Sequence, residues 1–133
     1  MNTIEEVVES AKSLFRELSS KQAAKMVSRA ESPSVGGVYL IYEKGNVIFV
    51  GKAKNLRRRV YTDHLSEKIA DTRSTFRRSL NSRDQLPYGP GMRAWLVKNC
   101  RFSYLPIPDA DMRGLVESLA ITVYRTPILL NKQ

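Results

Sequence analysis

At 133 residues and 42% hydrophobic content the chain suits one globular domain with an ordinary core, and a second independent domain is not expected. A net charge of +9 points to a polyanionic partner, since summed positive charge attracts phosphates over distance. Cys100, the single cysteine, excludes an intrachain disulfide and a CxxC zinc cluster, and no stretch approaches the roughly 20 apolar residues of a membrane span.

The segment 1–31 reads as a helical extension. Thr3 followed by Glu6 is a capping box, and Ile4, Val7, Val8, Ala11, Leu14, Phe15 and Leu18 recur at helical spacing. Ser19 with Gln22 marks a second helix start, so a short helix is expected through Val27, ahead of the turn-rich Glu31-Ser32-Pro33-Ser34. This pair either caps the sheet or docks a protein partner or a second copy. The N-terminus is acidic and amphipathic, unlike a basic leader running into an apolar stretch. A cytoplasmic, reducing setting is the expectation, with Cys100 a buried thiol in a strand.

Residues 35–133 read as the main domain. Val38, Leu40 and Ile41, then 47–50, are β-branched or apolar runs of strand length around a Gly45-Asn46 turn signal. They predict a β-hairpin with Gly37 and Gly51 at its outer ends. Asn55 then caps a helix through about Leu65, with Leu56, Val60 and Leu65 inward and Arg57 and Arg58 outward. A further helix starts near Ser74 with Phe76 and Leu80 apolar, before the break at Pro87-Tyr88-Gly89-Pro90-Gly91. A short helix over 93–99, a strand over 101–107 and a well-patterned helix over 111–124 complete the chain. The last carries Met112, Leu115, Val116, Leu119, Ala120 and Val123 on one stripe, with Glu117 near its edge.

Charge is distributed unevenly. Residues 1–51 are neutral, whereas 52–83 hold ten basic residues against three acidic ones, net +7. Seven of the ten are arginine, whose planar fork binds phosphate bidentately, so this segment reads as a nucleic-acid contact with Lys54, Arg57, Arg58, Arg77 and Arg78 as its residues.

Gly37-Val38-Tyr39, then Phe49-Val50-Gly51 with Lys52, then Asn55-Leu56-Arg57-Arg58-Arg59, then Glu117, then Leu130-Asn131 stand in an order that resembles the GIY-YIG nucleases. The resemblance spans roughly 35–131. It implies an α/β (α+β) domain with a three-stranded antiparallel sheet flanked by helices, and a metal-dependent endonuclease acting on nucleic acid, DNA in first place. It also implies residue roles: Glu117 as ligand to Mg²⁺ (or Mn²⁺), Arg59 on the scissile phosphate, Tyr39 on the attacking water, and Asn131, Gly37 and Gly51 as structural positions. Lys52 is placed in sequence to lower the pKa of Tyr39 or to contact phosphate.

The chain departs from the pattern at Phe49, where the family's second motif has tyrosine; the ring is kept and the hydroxyl lost. Activity then rests on Tyr39, or on Tyr61 or His64 as a substitute, because the family commonly has histidine or tyrosine about one turn past the arginine. Asp63 is four residues after Arg59 and His64 five, which leaves the register open, and His64 reads equally as a base or a plain surface histidine. Two functions follow: an endonuclease of weak intrinsic sequence preference, weakened by Phe49, or a nucleic-acid-binding or adaptor module that keeps the fold without turnover.

Overall fold

The computed structural model describes residues 3–26, 33–66 and 74–131, apart from the side chains of 61–63. Helix α1, Ile4–Ser19, opens with the expected reciprocal capping box between Thr3 and Glu6. It ends at Ser20, and the Ser19 hydroxyl donates back to Arg16 O instead of capping a second helix. The helix expected through Val27 is therefore absent up to Met26. In its place β1, Ala24–Lys25, pairs with Phe102 and Arg101. Val27 itself lies outside the described residues.

The hairpin forms as expected from β2, Gly37–Glu43, and β3, Asn46–Ala53. Its two-residue turn, Lys44-Gly45, has positive φ at both positions (52° and 81°), matching the right-handed twist of the strands. The register pairs Tyr39 with Gly51 and Ile41 with Phe49. After β3, a π-helix spans Arg57–His64, followed by α2, Thr75–Asp84, and α3, Pro90–Asn99. Pro90 fits the first helical position, where no N–H is needed, and Gly89 supplies the φ of 122° before it. Strand β4, Cys100–Pro106, and helix α4, Ala110–Val123, close the order, α4 being capped by Asp109 on the Met112 amide.

The sheet is antiparallel with order β1-β4-β2-β3, so it has four strands where three were expected. The fourth is the two-residue β1, too short to leave a period in the sequence. It gives part of the outer edge of β4 the backbone partners it would otherwise lack.

Alternation along the strands feeds two cores. Tyr39, Ile41, Phe49 and Phe102 face Leu56, Val60, Leu65, Phe76 and Leu80 on one side. Val38, Leu40, Val50 and Leu105 face Ala11, Leu18, Val116 and Ala120 of α1 and α4 on the other. Cys100 is buried at the head of β4, and burial pushes its thiol up to about 12, so it is inert. Of the α4 stripe, Val116 and Ala120 are buried, while Leu115 and Val123 are exposed. Among the described residues no helix is long and apolar enough to cross a membrane.

Candidate active site at the open edge of the hairpin

The two glycines are required by close approach. A Cβ on Gly37 would stand 2.4 Å from Leu105 O, and one on Gly51 would stand 2.2 Å from Tyr39 Cζ and 2.3 Å from its hydroxyl oxygen. Tyr39 therefore lies across its own cross-strand partner, and the missing side chain at 51 is what admits its ring. Phe49, on the same face, packs at 6.3 Å from the Tyr39 ring, 6.1 Å from His64 and 5.2 Å from Phe76. It completes the aromatic packing around Tyr39 and His64 but brings no polar atom.

His64 is buried, with Nε2 2.6 Å from the Tyr39 hydroxyl and Nδ1 2.5 Å from Ser74 Oγ. The surface alternative for this histidine is thereby removed. The helix type explains the register that sequence left open. In a π-helix hydrogen bonds close i→i+5, so about one turn separates Arg59 from His64 rather than from Asp63. The buried pair Val60 and Leu65 repeats the same five-residue step.

Ser74 Oγ also accepts from the Arg77 amide as the α2 cap, and its own proton can go to His64 Nδ1. Nε2–H would then donate to Tyr39; the reverse shift lets Nε2 accept the phenol proton. Either way the imidazole is neutral, because burial first, then the charges of Arg59 and Arg77, lower its pKa from 6.5 to about 3.

Glu117 approaches the same edge from α4. Burial pushes its carboxyl above the ordinary range, opposed by the Lys52 ammonium and by a hydrogen bond from the Lys52 backbone. Lys52 Nζ lies 3.8 Å from Glu117 Oε1, with the lysine side chain 51% exposed. Such a pair contributes about 1 kcal/mol or less to stability, and its charge works against the burial of Glu117. Asn131 donates to Val50 O and accepts from Val50 N–H, each at 2.7 Å, and Leu130 N–H bonds Ile48 O. The C-terminal segment thus satisfies the β3 edge beside the site.

Tyr39, Phe49, Gly51, Lys52, Arg59, His64, Thr75, Glu117 and Asn131 line one cleft of about 370 Å³. Among the described residues no group of three or more His, Cys, Asp or Glu could hold an ion. One half-buried carboxylate fits a hard cation that keeps much of its own water, which is the behaviour of Mg²⁺.

The basic residues divide. Lys54, Arg58 and Arg59 line a second cleft of about 570 Å³ together with Lys52, Asn55, Ala110 and Arg113. Arg57 is half-buried, and Arg78 is exposed with its guanidinium on Thr75 Oγ1 at 3.0 Å. Arg77, expected among the nucleic-acid contacts, is wholly buried, its Cζ 5.1 Å from the centre of the Tyr88 ring. It lies on the inward face of α2 with Phe76 and Leu80, and acts as a buried charge near His64 rather than as a surface contact. The Tyr61 side chain lies outside the described residues. Ser74 and Arg113 were not anticipated as site residues. Ser74 carries only a helix-cap signal in sequence, and Arg113 falls in a region of low net charge.

A phenol joined to an imidazole, a guanidinium and a carboxylate facing one cleft can bind a phosphate and handle a proton. The family model of the GIY-YIG catalytic domain matches residues 21–104, and the chain belongs to that family. Tyr39, Gly51, Arg59 and His64 fall within the matched region, and Glu117 and Asn131 beyond it. No curated protein matches the chain. Among solved structures it is similar to the N-terminal endonuclease domain of UvrC from Thermotoga maritima. A point mutant of that domain, bound to its catalytic divalent cation, shows 21% identity over 77% of this chain and 88% of that one, with a TM-score of 0.46. The magnesium-bound domain shows 21% identity over 71% and 82%, with a TM-score of 0.42.

Proposed function

We propose that the protein is a metal-dependent endonuclease that hydrolyses DNA phosphodiester bonds with weak intrinsic sequence preference. The observation that carries this reading is the convergence of Tyr39 on His64, with Arg59, Lys52 and Glu117, on one open cleft at the β3 edge. Tyr39 holds the attacking water, and its hydrogen bond to neutral His64 gives a proton somewhere to move at the phenol oxygen. Arg59 binds the scissile phosphate with a planar fork that matches its oxygens bidentately. The Lys52 ammonium opposes the burial that raises the Glu117 pKa. Glu117 would hold Mg²⁺ (or Mn²⁺), which would supply positive charge for phosphodiester hydrolysis. Substrate choice rests on DNA structure or on a partner.

The test is nicking of supercoiled plasmid with Mg²⁺, beside EDTA and Glu117→Ala. Metal-dependent nicking that falls by about 10² or more in the variant is expected. A Phe49→Tyr variant that gains about 10² would identify the missing hydroxyl as the limit on the natural chain. Salt-sensitive DNA binding with no nicking in Mg²⁺ or in Mn²⁺ would replace the endonuclease with a binding module.

A further inference from the structure

Among the described residues, the cleft next to the active site is lined by five cations and no carboxylate: Lys52, Lys54, Arg58, Arg59 and Arg113. Four come from the segment whose charge is plain in the sequence. The fifth arrives from α4, brought over by the fold. Arg113 Nη1 donates to Ile107 O and Pro108 O, each at 3.1 Å, and the guanidinium lies against Gly36. A Cβ on Gly36 would stand 2.0 Å from Nη1 and 2.9 Å from Cζ, so the bare backbone at 36 makes the space that the guanidinium occupies. With one nitrogen anchored to the backbone, the fork is held in place before any ligand arrives, which reduces the entropy lost on binding. The two clefts share Lys52 and Arg59, so a chain of phosphates leaving one enters the other.

We infer that this second cleft seats the phosphodiester next to the one being cut, with Arg113 as its fixed anchor and Lys54 and Arg58 as the exposed charges around it. The inference rests on the reading of the site as a nuclease, and it adds a substrate path and a residue that no motif marks. A built cleft of this kind predicts that the enzyme engages at least two consecutive phosphates, one reacting and one held.

The experiment is binding of a labelled DNA duplex, followed by fluorescence anisotropy in EDTA over a range of KCl, so that no cleavage occurs. Wild type, Arg113→Gln, Arg58→Gln and the remote control Lys12→Gln are compared, with circular dichroism melts to confirm folding. Loss of one phosphate contact should weaken binding about tenfold and lower the slope of log K against log salt by about 1 in the two cleft variants, leaving the control near wild type. An unchanged slope in folded Arg113→Gln would overturn the assignment. Should that variant fail to fold because the Ile107–Pro108 carbonyls lose their donor, Arg58→Gln decides alone, and an unchanged slope there overturns the cleft. Lowered slopes in the two cleft variants, with a wild type that never nicks DNA with Mg²⁺, would support the phosphate cleft while rejecting the endonuclease. A wild type that does not bind DNA would reject both.

Discussion

At the scale of single residues the site depends on what sits opposite what. Tyr39 needs Gly51 across the hairpin, and His64 needs both Tyr39 and Ser74 to satisfy its ring nitrogens away from water. His64 titrates near 6.5 when unfolded and near 3 when folded. Between those values the unfolded chain takes up a proton that the folded one refuses. Its contribution to stability is therefore whole above the unfolded value and is lost progressively as the pH falls toward the folded one. Thermal melts from neutrality down to about pH 4.5 should show wild type losing stability more steeply than His64→Phe, which has no such proton to exclude. Parallel curves would contradict the buried neutral imidazole.

Some of these residue contacts were legible in the sequence and others were not. Tyr39, Gly51, Arg59, Glu117 and Asn131 stand out because motifs on the hairpin, the following helix and the C-terminus keep a fixed order. Ser74 meeting His64, Arg77 turning inward and Arg113 crossing to Gly36 are products of tertiary packing. No local pattern encodes them.

At the scale of elements the hairpin, α1 and α4 were readable because each repeats its own period over two turns or several strand residues. The two-residue β1 was not, since it spans no more than one period and exists only against the edge of β4. The π-helix left a trace in the five-residue steps from Arg59 to His64 and from Val60 to Leu65, which an α-helical wheel misreads as a slipped face. π-segments are rare and tend to occur at functional sites. Here the widened turn carries His64 to Tyr39 past one extra residue. Deleting one residue from 61–63 should let an ordinary α-turn make the same span, so plasmid nicking should survive. Inserting one there should move His64 away and cost about 10² or more, the scale of a positioned acid or base. A deletion as damaging as the insertion would show that the π-turn itself is needed.

At the scale of the whole molecule the chain separates core from charge. One sheet face is covered by the π-helix, α2 and α3 and the other by α1 and α4, with Ala11 and Leu18 of α1 closing the second core. Helix α1 thus shares a core with α4, although the family match begins only at residue 21. The β3 edge, partly paired by the C-terminal segment, lies between the two layers, and there the tyrosine from one face and the carboxylate from the other line a single cleft. The excess charge of +9 is focused beside it by Lys54, Arg58 and Arg113. The proposed endonuclease requires Tyr39 to act at the reacting phosphate. Its most direct test is single-turnover cleavage of a DNA substrate with saturating Mg²⁺ by wild type and Tyr39→Phe, with DNA affinity measured alongside. A rate lower by about 10²–10⁴ at unchanged affinity is predicted. A Tyr39→Phe enzyme that binds and cleaves as wild type does would contradict it.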